Sequence, residues 1–247
     1  MKKKPLILSV TSGKGGVGKT FTTLNLAATL AQTKKKILVV DCDLGLANID
    51  IMLGINPPHT LQDVIFGDKN LRDIVIPTKG GFDLIPSSSG VRDMAQLLFE
   101  KIELVKAMIL EFTNYDIIML DTGAGISEVV LQFNLLASKN IVIINKELTC
   151  LTDAYSMIKV MFQVFERKDF GIIANAVANE NEAMRLFNHI NSICKKFLGF
   201  DLHYTGHILN DELASQSILT QKIAVLASPH SGMANNFKKI SEKVRTW

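Results

Sequence analysis

The sequence predicts an α/β fold, a doubly wound, mainly parallel sheet with helices on both faces. Three observations carry that expectation. Short β-branched runs alternate with longer amphipathic stretches, the βαβα rhythm of a parallel sheet. Most of the short runs are apolar throughout rather than alternating, as strands covered on both sides must be. The first run also leads into a glycine-rich loop that opens directly into a helical pattern. The 247 residues suit one such domain. No repeat, low-complexity tract or linker divides them, so residues 1–247 are expected to form a single domain.

In chain order, the expected strands are Leu6–Val10, Ile37–Asp41, Phe82–Ile85, Asp116–Asp121, Asn140–Asn145, Phe170–Asn175 and Leu202–Ile208. The expected helices are Lys19–Gln32, Leu61–Phe66, Val91–Phe112, Ser127–Ala137, Leu151–Glu166, Asn181–Phe197 and Gly232–Trp247. Gly54–His59 and Lys79–Ser89 read as loops, because glycine and proline punctuate them. Right-handed crossovers would connect the parallel strands.

Composition narrows the function classes. A hydrophobic fraction of 47% with 21% charged residues supports a large core and argues against disorder. Apolar runs such as Ile117–Leu120 fall far short of the ~20 residues that span a bilayer. The apolar stretch after Met1-Lys2-Lys3-Lys4 is too short for a secretory signal. Three scattered cysteines, Cys42, Cys150 and Cys194, are no disulfide scaffold and read as cytoplasmic. A net charge of +3 gives no reason to expect a specific nucleic acid.

The residues from Gly13 to Thr20 fit G-x-x-x-x-G-K-[ST] in its proper strand–loop–helix context. Gly13, Gly15, Gly16 and Gly18 let the backbone curl its N–H groups around phosphate, with Lys14 and Val17 between them. The following helix adds the positive end of its dipole. Lys19 is expected at the β- and γ-phosphates and the Thr20 hydroxyl on Mg²⁺, with Phe21 completing the nucleotide-binding run. Asp41-Cys42-Asp43 ends the second strand, at the sheet edge where such folds bind ligands. Two acids there could hold Mg²⁺ through water or polarise an attacking water, while a turn or helix-cap aspartate is the simpler alternative. Ile117–Leu120 followed by Asp121-Thr122-Gly123-Ala124-Gly125 has the shape of a strand that ends in a metal-supporting acid and a mobile glycine turn.

The form Lys14-Gly15-Gly16-Val17-Gly18-Lys19-Thr20, with its extra lysine, closely resembles the deviant Walker motif of the MinD/ParA family of dimerising ATPases. Asp43-Leu44-Gly45-Leu46-Ala47-Asn48-Ile49-Asp50 and Met52-Leu53-Gly54 are similar to that family's flagellar branch, FlhG (also called FleN or YlxH), and to MinD. Phe82–Gly90 and Glu147–Tyr155 match family segments in outline, although Lys146 stands where proline is usual. The resemblance covers nearly the whole chain. It implies ATP or ADP with Mg²⁺ as ligands and a homodimer when ATP is bound. Lys14 would then reach across the dimer to the partner's nucleotide, and Asp43 would orient the hydrolytic water. Asp41 and Asp121 would support the metal. Asn175, at the end of a strand, would read the adenine, or else cap a turn. Asn210 and Asp211 would flank the base, with Asn210 in the place of a usual proline. The implied function is an ATPase, slow unless stimulated, that controls flagellar number or placement with flagellar assembly proteins, including an FlhF-like GTPase, as partners. The N-terminal extension with which some FlhG proteins stimulate that GTPase is expected to be missing, since the first strand begins by Leu6. MinD-like septum placement, ParA-type partition and a P-loop metabolic ligase are the alternatives.

Met233, Phe237, Ile240, Val244 and Trp247 share one face of the final helix, and Lys238, Lys239, Lys243 and Arg245 lie mostly on the other. By the resemblance, this helix at 232–247 would bind the inner face of the cell membrane, giving a cytoplasmic, peripherally membrane-associated protein. A helix packed on the sheet with its lysines in water fits the same pattern. His203 and His207 have a zinc-like spacing only on a helix. On the expected strand they lie ~13 Å apart. No C-x-x-C pair points to an iron–sulfur carrier, no tyrosine cluster to a kinase tail, and Lys34-Lys35-Lys36 reads as a solvated helix end.

Overall fold

The computed structural model describes residues 4–88 and 99–246. In chain order the elements are β1 (Leu6–Ser12), α1 (Lys19–Ala31), β2 (Ile37–Cys42), α2 (Ile49–Leu53), α3 (Leu61–Ile65), β3 (Ile76–Pro77), β4 (Asp83–Ile85) and α4 (Phe99–Leu110). They continue with β5 (Ile117–Ala124), α5 (Glu128–Leu136), β6 (Lys139–Ile144), α6 (Leu148–Phe165), β7 (Phe170–Val177), α7 (Glu180–Leu198), β8 (His203–Leu209), α8 (Glu212–Leu219), α9 (Ala224–Ala227) and α10 (Gly232–Thr246). The strands form one sheet in the order β3-β4-β2-β5-β1-β6-β7-β8. Every neighbouring pair is parallel except β3 with β4.

The apolar runs are apolar because both of their sides are covered. Successive residues of β2 alternate between two cores: Ile37 and Val39 pack in one, Leu38 and Val40 in the other. The first core takes side chains from α1, α6, α7 and α10, the second from α3, α4 and α5. Strand order places β1, β2 and β5 side by side at the centre, so the loops leaving their carboxyl ends converge at one point.

The expected elements are present, with shifted ends. The first eight residues expected in the helix from Val91, together with Ser89, Gly90 and Trp247, lie outside the described residues. β5 runs past Asp121 to Ala124, and α6 starts at Leu148 rather than Leu151, with Glu147 as its N-cap. Short α2, α8 and α9 and the two-residue β3 carry too few residues for a period to declare itself.

The final helix corrects one expectation. Met233, Phe237, Ile240 and Val244 are all buried. They face α1 and β8, with the Phe237 ring edge-on to Phe21 at 6.2 Å between centroids. The face expected to enter a membrane is therefore part of the protein core, and the packed alternative holds. Lys238, Lys239, Lys243 and Arg245 are exposed, with the Lys243 Nζ donating to the Tyr204 carbonyl at 3.0 Å. No helix among the described residues is long and apolar enough to cross a membrane.

Candidate nucleotide site

The glycine-rich loop joins β1 to α1 and is held from three sides. The Ser12 hydroxyl donates to the Lys14 carbonyl at 2.6 Å. Gly13 lies so close to α6 that a Cβ there would sit 2.1 Å from the Asp153 carbonyl carbon, so only glycine fits. From β7, Asn175 donates its Nδ2 to the Val17 carbonyl at 2.8 Å and lies against Gly18. Gly16 and Gly18 have left-handed backbones, and Gly18 is the N-cap of α1. The curl thus ends on a helix N-terminus, where N–H groups and the dipole favour an anion.

Lys19 opens α1 and is 8% exposed. Burial lowers its pKa below the ordinary lysine value, and the charges of Asp121 and Asp43 pull it back up. One and four residues on, Thr20 and Thr23 take the two oxygens of Asp121: Thr20 Oγ1 donates to Oδ2 and Thr23 Oγ1 to Oδ1, each at 2.7 Å. Thr23 is a site residue that sequence reasoning missed, although it lies on the same helical face as Thr20. Burial pushes Asp121 up to about 6 against these two hydrogen bonds. Asp41 pairs with Asp121 across β2 and β5. Burial raises it well above the carboxylate range, and the Asp121 charge adds to the effect.

Two buried carboxylates in register beside a threonine hydroxyl form an all-oxygen set that suits a hard divalent cation. Thr20 and Asp121, supported by Asp41, would hold Mg²⁺, which would neutralise phosphate charge when bound. Asp43 lies outside this pair and lines the cleft. Its amide donates to Asp41 Oδ1 at 3.1 Å, and its own Oδ1 accepts from Leu46 N at 3.1 Å. The turn role weighed for Asp43 is thus real for that oxygen. The carboxylate also stands near Gly123 of β5, bringing the two loops that follow β2 and β5 together.

Lys14 turns away from Lys19 to the surface. Its Nζ pairs with Glu147 and lies 3.2 Å from Thr149 Oγ1, both at the start of α6. The hydrogen bond to Glu147 raises the lysine pKa, and the same bond lowers that of the glutamate. Both belong to the Glu147–Tyr155 segment noted for its likeness to the family, but neither was given a role at the site.

The cleft itself has a volume of about 1110 Å³. Gly15, Gly16, Gly18, Lys19, Thr20 and Phe21 form its floor, and Asp43 to Leu46 with Ile51 and Met52 form one wall. Ile218 of α8 also lines it. Leu46 lies in the Asp43–Asp50 segment but was given no role, and Ile51 and Ile218 were not expected. Asn175 lies within β7, Asn210 and Asp211 follow β8, and none of the three is on the wall of this cleft. The Asn210 amide donates to the Val177 carbonyl at 2.8 Å, and the Asp211 carboxylate caps α8. His203 and His207 lie on β8 as expected, and no group of three or more His, Cys, Asp or Glu side chains placed to hold a metal occurs among the described residues.

The fold and the site define a P-loop nucleotide-binding domain. The AAA domain family matches residues 6–169. The chain is 35% identical over 242 residues to the antiactivator FleN of Pseudomonas aeruginosa, covering 98% of this chain and 86% of that one. To the flagellum site-determining protein YlxH of Helicobacter pylori it is 28% identical over 238 residues, covering 95% and 80%. The structure of the cell division ATPase MinD of Pyrococcus furiosus matches with a TM-score of 0.80 at 25% identity over 98% of each chain. MinD of Pyrococcus horikoshii, solved with Mg-ADP, matches with a TM-score of 0.78 at 28% identity over 97% of this chain and 96% of that one. The chain belongs to the MinD/ParA family of P-loop ATPases, in its FlhG branch.

Proposed function

We propose that residues 1–247 work as one ATP-hydrolysing switch domain that helps set flagellar number or placement. The observation that carries this reading is the pair of lysines in one loop with opposite surroundings. Lys19 is buried beside Asp121, while Lys14 reaches out to the rim at Glu147. A buried cation serves its own nucleotide. A rim cation can serve another molecule's, as an arginine finger does. Leu46, Ile51 and Ile218 of the cleft lining are exposed, and so is Leu148, next to Glu147. Exposed apolar side chains of that kind suit a partner surface. The second copy of the chain is that partner, and ATP closes the pair.

Within the closed site, Lys19 and the loop amides bind the phosphates, and Asp43 orients the attacking water. Turnover is slow until a flagellar placement partner stimulates it, because a timer needs a long-lived bound state. The protein works in the cytoplasm at the inner face of the membrane. Its exposed lysines on α10 meet anionic lipid there, without insertion of the helix. Light scattering with ATP tests the scheme. Asp43→Ala is expected to accumulate an ATP-dependent dimer, and Lys14→Ala and Lys19→Ala to stay monomeric. An Asp43→Ala protein that never dimerises with ATP would overturn it.

A further inference from the structure

α2 and α8 come from distant parts of the chain and are joined through Gln221. This residue follows the C-terminal turn of α8, where its amide donates to the Ile218 carbonyl at 3.1 Å. Its φ is +54°, a left-handed backbone that few side chains adopt. The side chain reaches α2, where Nε2 donates to the Ile51 carbonyl at 3.0 Å. That carbonyl belongs to the last turn of a five-residue helix, where the Gly54 amide also donates to it at 3.2 Å, so the Gln221 amide is its second donor. The amide group lies over Gly54, the C-cap of α2. A Cβ at Gly54 would stand 2.6 Å from Gln221 Oε1 and 2.9 Å from its Cδ. A left-handed residue and a glycine therefore make room for one hydrogen bond.

The location gives that bond a use. α2 directly continues the Asp43–Asn48 loop, and that loop with Ile51 and Met52 forms one wall of the cleft. Ile218, three residues before Gln221, lines the same cleft. Ile49 alone in α2 is fully buried, so packing holds the end of this helix weakly. The geometry points to Gln221 as a positioning residue that straps α2 to α8 and so holds the Asp43 loop in register with the phosphate-binding loop. The inference rests on the water-orienting role of Asp43 given above.

The full chain tests this with three measurements on Gln221→Asn and Gln221→Lys. Asparagine tolerates the left-handed backbone but is one methylene shorter. Lysine restores a donor of sufficient reach. In Gln221→Asn, hydrogen exchange of the nucleotide-free protein is expected to quicken about tenfold across residues 44–55 and to stay unchanged in residues 13–20. Its kcat for ATP should fall about fivefold while ADP affinity stays within about twofold, which separates positioning from binding. Gln221→Lys should recover most of both losses. Unchanged exchange in residues 44–55, or a kcat loss matched by an equal loss of ADP affinity, overturns the inference. If the unaltered chain turns over no ATP, the proposed function fails, and the exchange measurement alone decides whether the strap exists.

Discussion

Thr20 and Asp121 meet at 2.7 Å, the hydroxyl of the first turn of α1 donating to the acid that closes the apolar run of β5. Thr23 takes the other oxygen at the same distance. Two hydroxyls one turn apart thus lock the helix after the phosphate loop to the central strand. Thr23→Val leaves a buried carboxylate oxygen without its donor and should cost about 1–3 kcal/mol of stability. Urea denaturation of the variant beside the unaltered chain measures it.

The two lysines of the loop should separate cleanly. Lys19→Ala is expected to weaken ATP binding at least about tenfold, since it removes the buried cation from the phosphate site. Lys14→Ala should shift the affinity of the monomer by less than about threefold, because its ammonium sits on the rim with Glu147. Titration calorimetry of both variants with Mg-ATP gives the answer.

Phe237 is fully buried and edge-on to Phe21. Phe237→Ala should cost about 3–5 kcal/mol through the cavity it leaves. Lys239→Glu, on the exposed face of the same helix, should stay within about 0.5 kcal/mol. Chemical denaturation of the two distinguishes a helix that belongs to the core from one that merely rests on it.

His207 on β8 bonds Tyr204 Oη through Nδ1 at 2.9 Å and Asn236 of α10 through Nε2 at 3.2 Å. Burial lowers its pKa below the ordinary histidine value. Glu180 opposes that shift, and Lys239 and Lys243 add to it. The unfolded chain therefore takes up the proton first as pH falls. Stability from this site is complete above about pH 6.5 and drains away below it, down to the folded-state pKa. His207→Gln should flatten that part of the stability–pH curve, as thermal melts between pH 5 and pH 8 would record.

The parts of the fold and site that were legible in the sequence share a cause. Strands covered on both sides must be apolar, and a loop that wraps phosphate must be glycine-rich. β1, β2, β5 and the loop before α1 therefore declare themselves. Asp41 and Asp43 flank the end of β2 as expected, while Asp121 closes the apolar run of β5 but the strand continues to Ala124. What escaped depends on contacts distant in sequence. Glu147 and Thr149 meet Lys14 more than a hundred residues away, and Gln221 meets Ile51 across a similar gap. The α10 pattern fitted either a core or a lipid surface, because a hydrophobic stripe does not specify what covers it. Packing against β8 and α1 decided it.

The docking of α10 changes how tail-deletion experiments read. Trimming from Gly232 onward removes Met233, Phe237, Ile240 and Val244 from the interior and uncovers α1 at Phe21, two residues after Lys19. A shortened protein that drifts from its cellular address would then report a collapsed fold, and only point changes confined to the outward lysines can ask the question of destination.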